Sequence, residues 1–153
     1  MARNEADGSG PARVAVVGAA TAAGALVRDA LAAYGVPGAR VDLFGTAAGE
    51  AVLSEYAGEA RLIQPADRDE VGRHRIVFLC EVSKPAAAIA ALAGPGRLVL
   101  DMTGAYGGPD GGPLVGSSAG PDREGDGALL QVAPPLSIVL AALLGPVDRA
   151  FGL

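Results

Sequence analysis

Seven small residues, Gly18-Ala19-Ala20-Thr21-Ala22-Ala23-Gly24, carry the clearest chemical signal in the chain. They follow the apolar run Val14-Ala15-Val16-Val17 and precede an apolar-striped segment that reads as a helix. At such a turn, glycines let the backbone approach a pyrophosphate, and N–H groups at the helix start face it. Thr21 stands where the middle glycine of a dinucleotide fingerprint belongs. Its Cβ crowds the closest phosphate approach, whereas its hydroxyl could donate to a phosphate oxygen. The alternative is a plain strand-to-helix turn with small residues for close packing. The sequence leaves both readings open.

Other reactive groups are sparse. Cys80 ends an apolar strand on the edge that would hold a cofactor. A small buried cysteine is the plainer reading, because no lysine or histidine beside it in sequence would activate it. The one histidine, His74, precedes that strand and reads as a solvated residue at the opposite edge. Asp42 could bond a ribose, but it lies inside a strand and reads as a solvated strand residue. Ser137 lacks a base. Asp67, Asp69 and Glu70 read as a solvated turn. Asp122, Glu124 and Asp126 lack the order of a calcium loop. No metal site is expected.

The elements that must position these groups alternate. Residues 13–18, 41–44, 60–63, 75–79, 97–100 and 128–132 read as strands. Several are apolar on both faces, as buried parallel strands are. Ala22–Tyr34 reads as a helix with Ala23, Leu26, Val27, Ala30 and Leu31 on one stripe. Ala48–Tyr56 reads as a short helix, and 67–72 as a polar turn or one helical turn. Ser83 caps a helix that runs to Ala93, with Pro85 in its first turn. Residues 102–127 are rich in glycine and proline and read as irregular, with a flexible loop at about 107–127. Pro135–Leu144 reads as an apolar helix closed by Gly145-Pro146. Strands alternating with helices predict an α/β, Rossmann-like, doubly wound and mainly parallel sheet with helices on both faces. Residues 13–153 are expected to form that one domain after a disordered segment at 1–12.

Composition excludes several classes. The 153 residues are 50% hydrophobic but only 4% aromatic, so alanine, valine and leucine supply the packing. A net charge of −5 gives no general attraction to nucleic acid or anionic membrane. A single cysteine precludes an internal disulfide, which fits a cytoplasmic setting. The most apolar run, Leu129–Leu144, is interrupted by Pro134 and Pro135 and falls short of the ~18 residues of a membrane span.

Several segments together resemble one family. Gly18–Gly24 is similar to the turn G-A-T-G-x-V-G of the aspartate-semialdehyde dehydrogenases. Val41-Asp42-Leu43-Phe44 and the small residues after it, Gly45-Thr46-Ala47-Ala48-Gly49, resemble the strand and adenosine-side segment, here without the family's arginine. Ile76–Lys84 resembles a strand ending in a small-Gly-Gly turn and a Ser-Lys helix start, with Glu81 and Val82 in place of the glycines. Val99–Tyr106 resembles V-I-D-x-S-S-A-F-R up to its arginine, which is Gly107 here. Pro113-Leu114-Val115 resembles P-L-V-V-P-E, and Pro134-Pro135-Leu136-Ser137 stands for N-P-N-C-S/T.

This resemblance covers about residues 13–153 and implies a degenerate, stand-alone N-terminal NAD(P)-binding domain, the family's second domain, which would start just after Leu153, being expected to be absent. Together with the turn, it implies cofactor contacts at Gly18, Ala20, Thr21, Ala22, Ala23, Gly24, Thr46, Cys80 and Thr103. The missing arginine implies weak NAD or NADP binding, with NADP penalised more. A charge-assisted hydrogen bond of that kind is worth ~1.5–3 kcal/mol, or roughly tenfold to over a hundredfold in affinity. Leu136 occupies the nucleophile position, so catalysis is expected to be lost. Three functions follow: a non-catalytic dinucleotide-binding domain; an interaction module docking to itself or to a dehydrogenase-like partner through apolar surface near Leu136, Val139, Leu140 and Leu143; and an active NADP-dependent semialdehyde dehydrogenase of amino-acid biosynthesis with displaced residues. The sequence favours the first two.

Overall fold

A computed structural model describes residues 12–46, 52–107, 114–115, 129–132 and 144–152. In chain order the strands are β1 (Val14–Val17), β2 (Val41–Gly45), β3 (Val52–Tyr56), β4 (Glu59–Pro65), β5 (Ile76–Leu79), β6 (Leu98–Asp101), β7 (Leu114–Val115) and β8 (Leu129–Val132). The named helices are α1 (Ala22–Ala33), α2 (Arg68–Val71) and α3 (Lys84–Ala90). Residues 144–151 are also helical.

The strands form one sheet in the order β3-β4-β2-β1-β5-β6-β8-β7. All its pairings are parallel except that of β3 with β4. The chain starts in the middle at β1, winds outward to β2 and β4, then crosses back to β5 and β6. The expected doubly wound, mainly parallel sheet is present.

β1 explains the two-sided core. All four of its residues are buried, and they alternate between faces as strand geometry requires. Ala15 and Val17 join Phe44, Val77, Leu79 and Val99 beneath Ala86, Ile89 and Ala90 of α3 and Val71 of α2. Val14 and Val16 join Val41, Leu43 and Ile63 beneath Val27 of α1. Small aliphatic side chains let helices lie close on both faces, which is how a core almost without aromatics fills.

Three expectations need correction. Residues 52–56, expected within a helix, are strand β3; residues 47–51 lie outside the described residues. β3 and β4 form a hairpin with Leu53 opposite Leu62 and Tyr56 opposite Glu59. Its two-residue turn, Ala57-Gly58, has φ of 52° and 81°. Two positive φ values in succession match the twist of the flanking strands, and a glycine at the second suits it. Tyr56 is buried, and its hydroxyl donates to the Val36 carbonyl at 2.7 Å, tying the hairpin to the end of α1.

The second correction concerns Gly145-Pro146. These residues do not close a helix, because residues 144–151 are helical. The expected helix from Pro135 falls mainly outside the described residues. The expected irregular stretch after Met102 contains the short strand β7, which pairs with β8.

The third correction concerns His74 and Asp42. His74 is buried, not solvated, with 3% of its surface exposed. Its Nε2 lies 2.7 Å from Asp42 Oδ2 and its Nδ1 3.2 Å from the Val71 carbonyl oxygen. The ring meets Phe44 edge-on, with centroids 5.5 Å apart. Asp42 also accepts from Arg13 at 2.6 Å. A polar ring is tolerated there because its N–H meets an acceptor whichever nitrogen carries it, and its body packs on an aromatic.

Candidate functional site

In open parallel sheets, ligands bind beyond the carboxyl ends of the strands. Four connections meet at that edge: the turn after β1, Thr46 after β2, Cys80–Ser83 after β5 and Met102–Tyr106 after β6.

The turn after β1 is built from its glycines. Gly18 has φ of +81°, a conformation that side chains rarely adopt, and Gly18 N and Ala19 N both donate to the Phe44 carbonyl. Gly24 serves packing: a Cβ there would lie 2.8 Å from Ala19 Cα and closer still to the Gly18 carbonyl oxygen. Helix α1 therefore sits against the turn at a distance only glycine allows. Thr21 is the N-cap of α1, its Oγ1 accepting from Gly24 N at 3.0 Å. That hydroxyl faces two acceptors, the Gly18 carbonyl at 2.8 Å and the Cys80 carbonyl at 3.1 Å. Its one proton is thus directed inward. Ala20 and Ala22 are exposed at the turn, and Ala23 is half-buried.

The other expected contact residues also face internal partners. Thr46 donates to Glu81 Oε1 through both its backbone N–H, at 3.0 Å, and its hydroxyl. Thr103 donates its hydroxyl to Asp101 Oδ1 at 2.6 Å. Cys80 is buried, its N–H bonded to the Val17 carbonyl at 2.8 Å. The structure brings all nine expected contact residues to this edge and turns their three hydroxyls onto the protein itself.

Burial, and then the neighbouring Glu81, push the Cys80 thiol up to about 12. Its thiolate near neutrality is about a thousandfold scarcer than that of an ordinary cysteine. A thiol-specific disulfide reagent should therefore label the folded protein hundreds of times more slowly than the unfolded chain. Labelling of the native protein at the rate of a free thiol would contradict this placement.

Two residues central to the edge were not identified from sequence as site residues. Glu81 reaches over Gly18: a Cβ placed on that glycine would meet Glu81 Cγ at 2.8 Å and Glu81 Cβ at 2.9 Å. Burial raises the Glu81 carboxyl above its ordinary range, and the Thr46 N–H partly opposes this. The signal was an acidic residue where the family has glycine, between a strand end and the Ser83 cap. Tyr106 is the second. Its hydroxyl accepts from Ser83 N and donates to the Glu81 carbonyl, each at 3.0 Å. Asp101, fully buried, accepts from Thr103 N, Gly104 N and Tyr106 N and so shapes the loop that delivers that tyrosine.

A second feature lies beside this edge. Leu26, Val27, Ala30, Leu31 and Tyr34 of the α1 region, with Phe78 and Met102, line an open apolar groove of about 320 Å³. Leu26 and Tyr34 are 70% and 89% exposed. The apolar surface expected near Leu136, Val139, Leu140 and Leu143 lies outside the described residues. Among the described residues, no three metal-ligating side chains converge, and no helix is long and apolar enough to cross a membrane.

No protein-family model matches the chain, and no curated protein matches it. Solved structures do. A probable aspartate-semialdehyde dehydrogenase from Pseudomonas aeruginosa overlays 89% of this chain with a TM-score of 0.72 at 23% identity. Aspartate semialdehyde dehydrogenase II from Vibrio cholerae overlays 93% with a TM-score of 0.66 at 17% identity in its complex with ASA, and 91% with 0.65 at 16% in a second structure. The chain spans only 43–44% of the length of these proteins. At such identities the overlay establishes architecture: this chain has the fold of part of an aspartate-semialdehyde dehydrogenase, the family its sequence resembles.

Proposed function

We propose that this chain is a semialdehyde-dehydrogenase-like domain that keeps the dinucleotide-type scaffold and does no chemistry of its own. One observation carries the reading. The chain's only thiol and only imidazole flank the same strand, β5, at opposite ends. Cys80 follows β5 at the ligand edge; His74 precedes it and is bound to Asp42 and Val71. A nucleophile needs a base within hydrogen-bond reach or a lowered pKa, and Cys80 has its pKa raised. Leu136, which stands for the family's nucleophile by resemblance, supports the same conclusion.

The test is a turnover assay with a semialdehyde, NADP and phosphate, on the wild-type chain and on Cys80→Ser. Both should give only the background rate. Wild-type turnover that Cys80→Ser abolishes would establish an active enzyme instead.

The apolar groove along α1 favours a second, compatible reading: a module that docks to itself or to a dehydrogenase-like protein. Apolar patches rimmed by polar surface mark such sites. A monodisperse monomer on size exclusion, unchanged by concentration or by an added dehydrogenase, would remove this reading.

A further inference from the structure

We propose that Glu81 closes the Gly18 turn to anionic ligands, so that this one side chain decides whether the edge takes a dinucleotide. The inference rests on the reading above, in which the edge is of dinucleotide type but non-catalytic.

Three observations carry it. The first is steric. A glycine at a phosphate-binding turn is useful because the space where its Cβ would stand lets the ligand come close. At Gly18 that space is taken: Glu81 Cβ and Cγ lie 2.9 and 2.8 Å from the Cβ position. A phosphate and these methylenes cannot share it.

The second concerns donors. Both donor groups of Thr46 at the end of β2, its N–H and its hydroxyl, are held by Glu81 Oε1. The Thr21 hydroxyl faces the Gly18 and Cys80 carbonyls. The side-chain donors that would reward an incoming phosphate already serve the protein.

The third is charge. The Glu81 carboxylate sits at the turn itself, half-buried and poorly screened, where a pyrophosphate would bring more negative charge. Like charges in one small site oppose each other. Glu81 therefore takes the ligand's place with an acceptor of its own and repels what would replace it. No cation among the described side chains bonds to Glu81 to offset that charge.

The other parts of a nucleotide turn survive for a reason of their own. Gly18 keeps its positive φ and Gly24 its tight packing because the strand-to-helix geometry needs them with or without a ligand. The ligand-dependent element is the one that differs.

Calorimetric titration of NAD and NADP into the wild-type chain, Glu81→Gly, Glu81→Ala and Glu81→Gln tests the proposal, with a melting curve for each to show that it folds. The wild type should give no heat up to millimolar ligand. Glu81→Gly should gain at least about tenfold in affinity, with Glu81→Ala between it and the wild type, because alanine keeps the Cβ 2.9 Å from that position. Glu81→Gln should gain less, since it removes the charge and keeps the bulk. Wild-type binding as tight as that of Glu81→Gly would overturn the proposal, and so would silence from every folded variant. Either result leaves the non-catalytic reading standing, which only turnover by the wild type would overturn.

Discussion

Replacing Asp101 with alanine should lower the free energy of unfolding by about 3 kcal/mol or more. Asp101 is fully buried at the end of β6, and its two oxygens serve four donors. Oδ1 accepts from Thr103 N at 2.8 Å, Thr103 Oγ1 at 2.6 Å and Gly104 N at 3.1 Å. Oδ2 accepts from Tyr106 N at 2.8 Å. Alanine strands all four. A buried donor left without a partner costs about 1–3 kcal/mol, and those that can turn to water cost less. Gly104 is exposed and will recover part of its loss, while Thr103 and Tyr106 are half-buried and will recover less. Asparagine should cost less than alanine: its carbonyl can serve the donors at Oδ1, but its amide would face the Tyr106 N–H. Urea unfolding of the three proteins checks the order. A loss below about 1 kcal/mol for alanine would mean that the loop holds its shape without the carboxylate.

Gly24→Ala should also destabilise the protein, by about 2 kcal/mol, although helix propensity argues the other way. Alanine inside a helix gains about 1 kcal/mol over glycine. Here the new methyl would lie 2.8 Å from Ala19 Cα and 3.0 Å from Ala19 C, and closer again to the Gly18 carbonyl oxygen. All three are backbone atoms, so no side-chain rotation relieves the contact. Helix α1 must lift from the turn, and overpacking of that kind costs about 1–3 kcal/mol or more. The steric term outweighs the propensity term. Asp29→Ala, at an exposed position of the same helix, should stay within about 0.5 kcal/mol of wild type. A stabilised Gly24→Ala would show that α1 does not rest on Gly18.

The parts of the fold legible in the sequence are those set by local pattern. Val14–Val17 and Ile76–Leu79 are apolar on both faces, and a central parallel strand is what buries both. Ser83 and Pro85 announce α3, because a cap and a first-turn proline act within a few residues. Strand β3 was misread for a different reason. Ala48–Tyr56 has adequate helix formers, and the strand state of Val52–Tyr56 depends on pairing with β4 through a turn at Ala57-Gly58. The tertiary partner overrides the weak local preference.

The site was legible to the same degree. The edge and the turn followed from the order of elements. The partners of its polar groups did not, because they lie far away in sequence. His74 meets Asp42, 32 residues away; Thr46 meets Glu81 across 35; Thr21 reaches Cys80 across 59. A threonine at a ligand edge looks available until the structure shows which acceptor already has its proton.

The Tyr106 hydroxyl gives the edge a mechanical property. It takes the Ser83 N–H and offers its proton to the Glu81 carbonyl, so the loop after β6 is fastened to the turn after β5. Asp101 anchors the near end of that loop in the sheet. The two connections therefore behave as one cooperative unit rather than as two loops, and they share one opening free energy. The turn that carries Glu81 can swing out of its resting place only when the tyrosine lets go. The opening of this edge is then governed by Tyr106, a residue packed against the core, as well as by Glu81 itself.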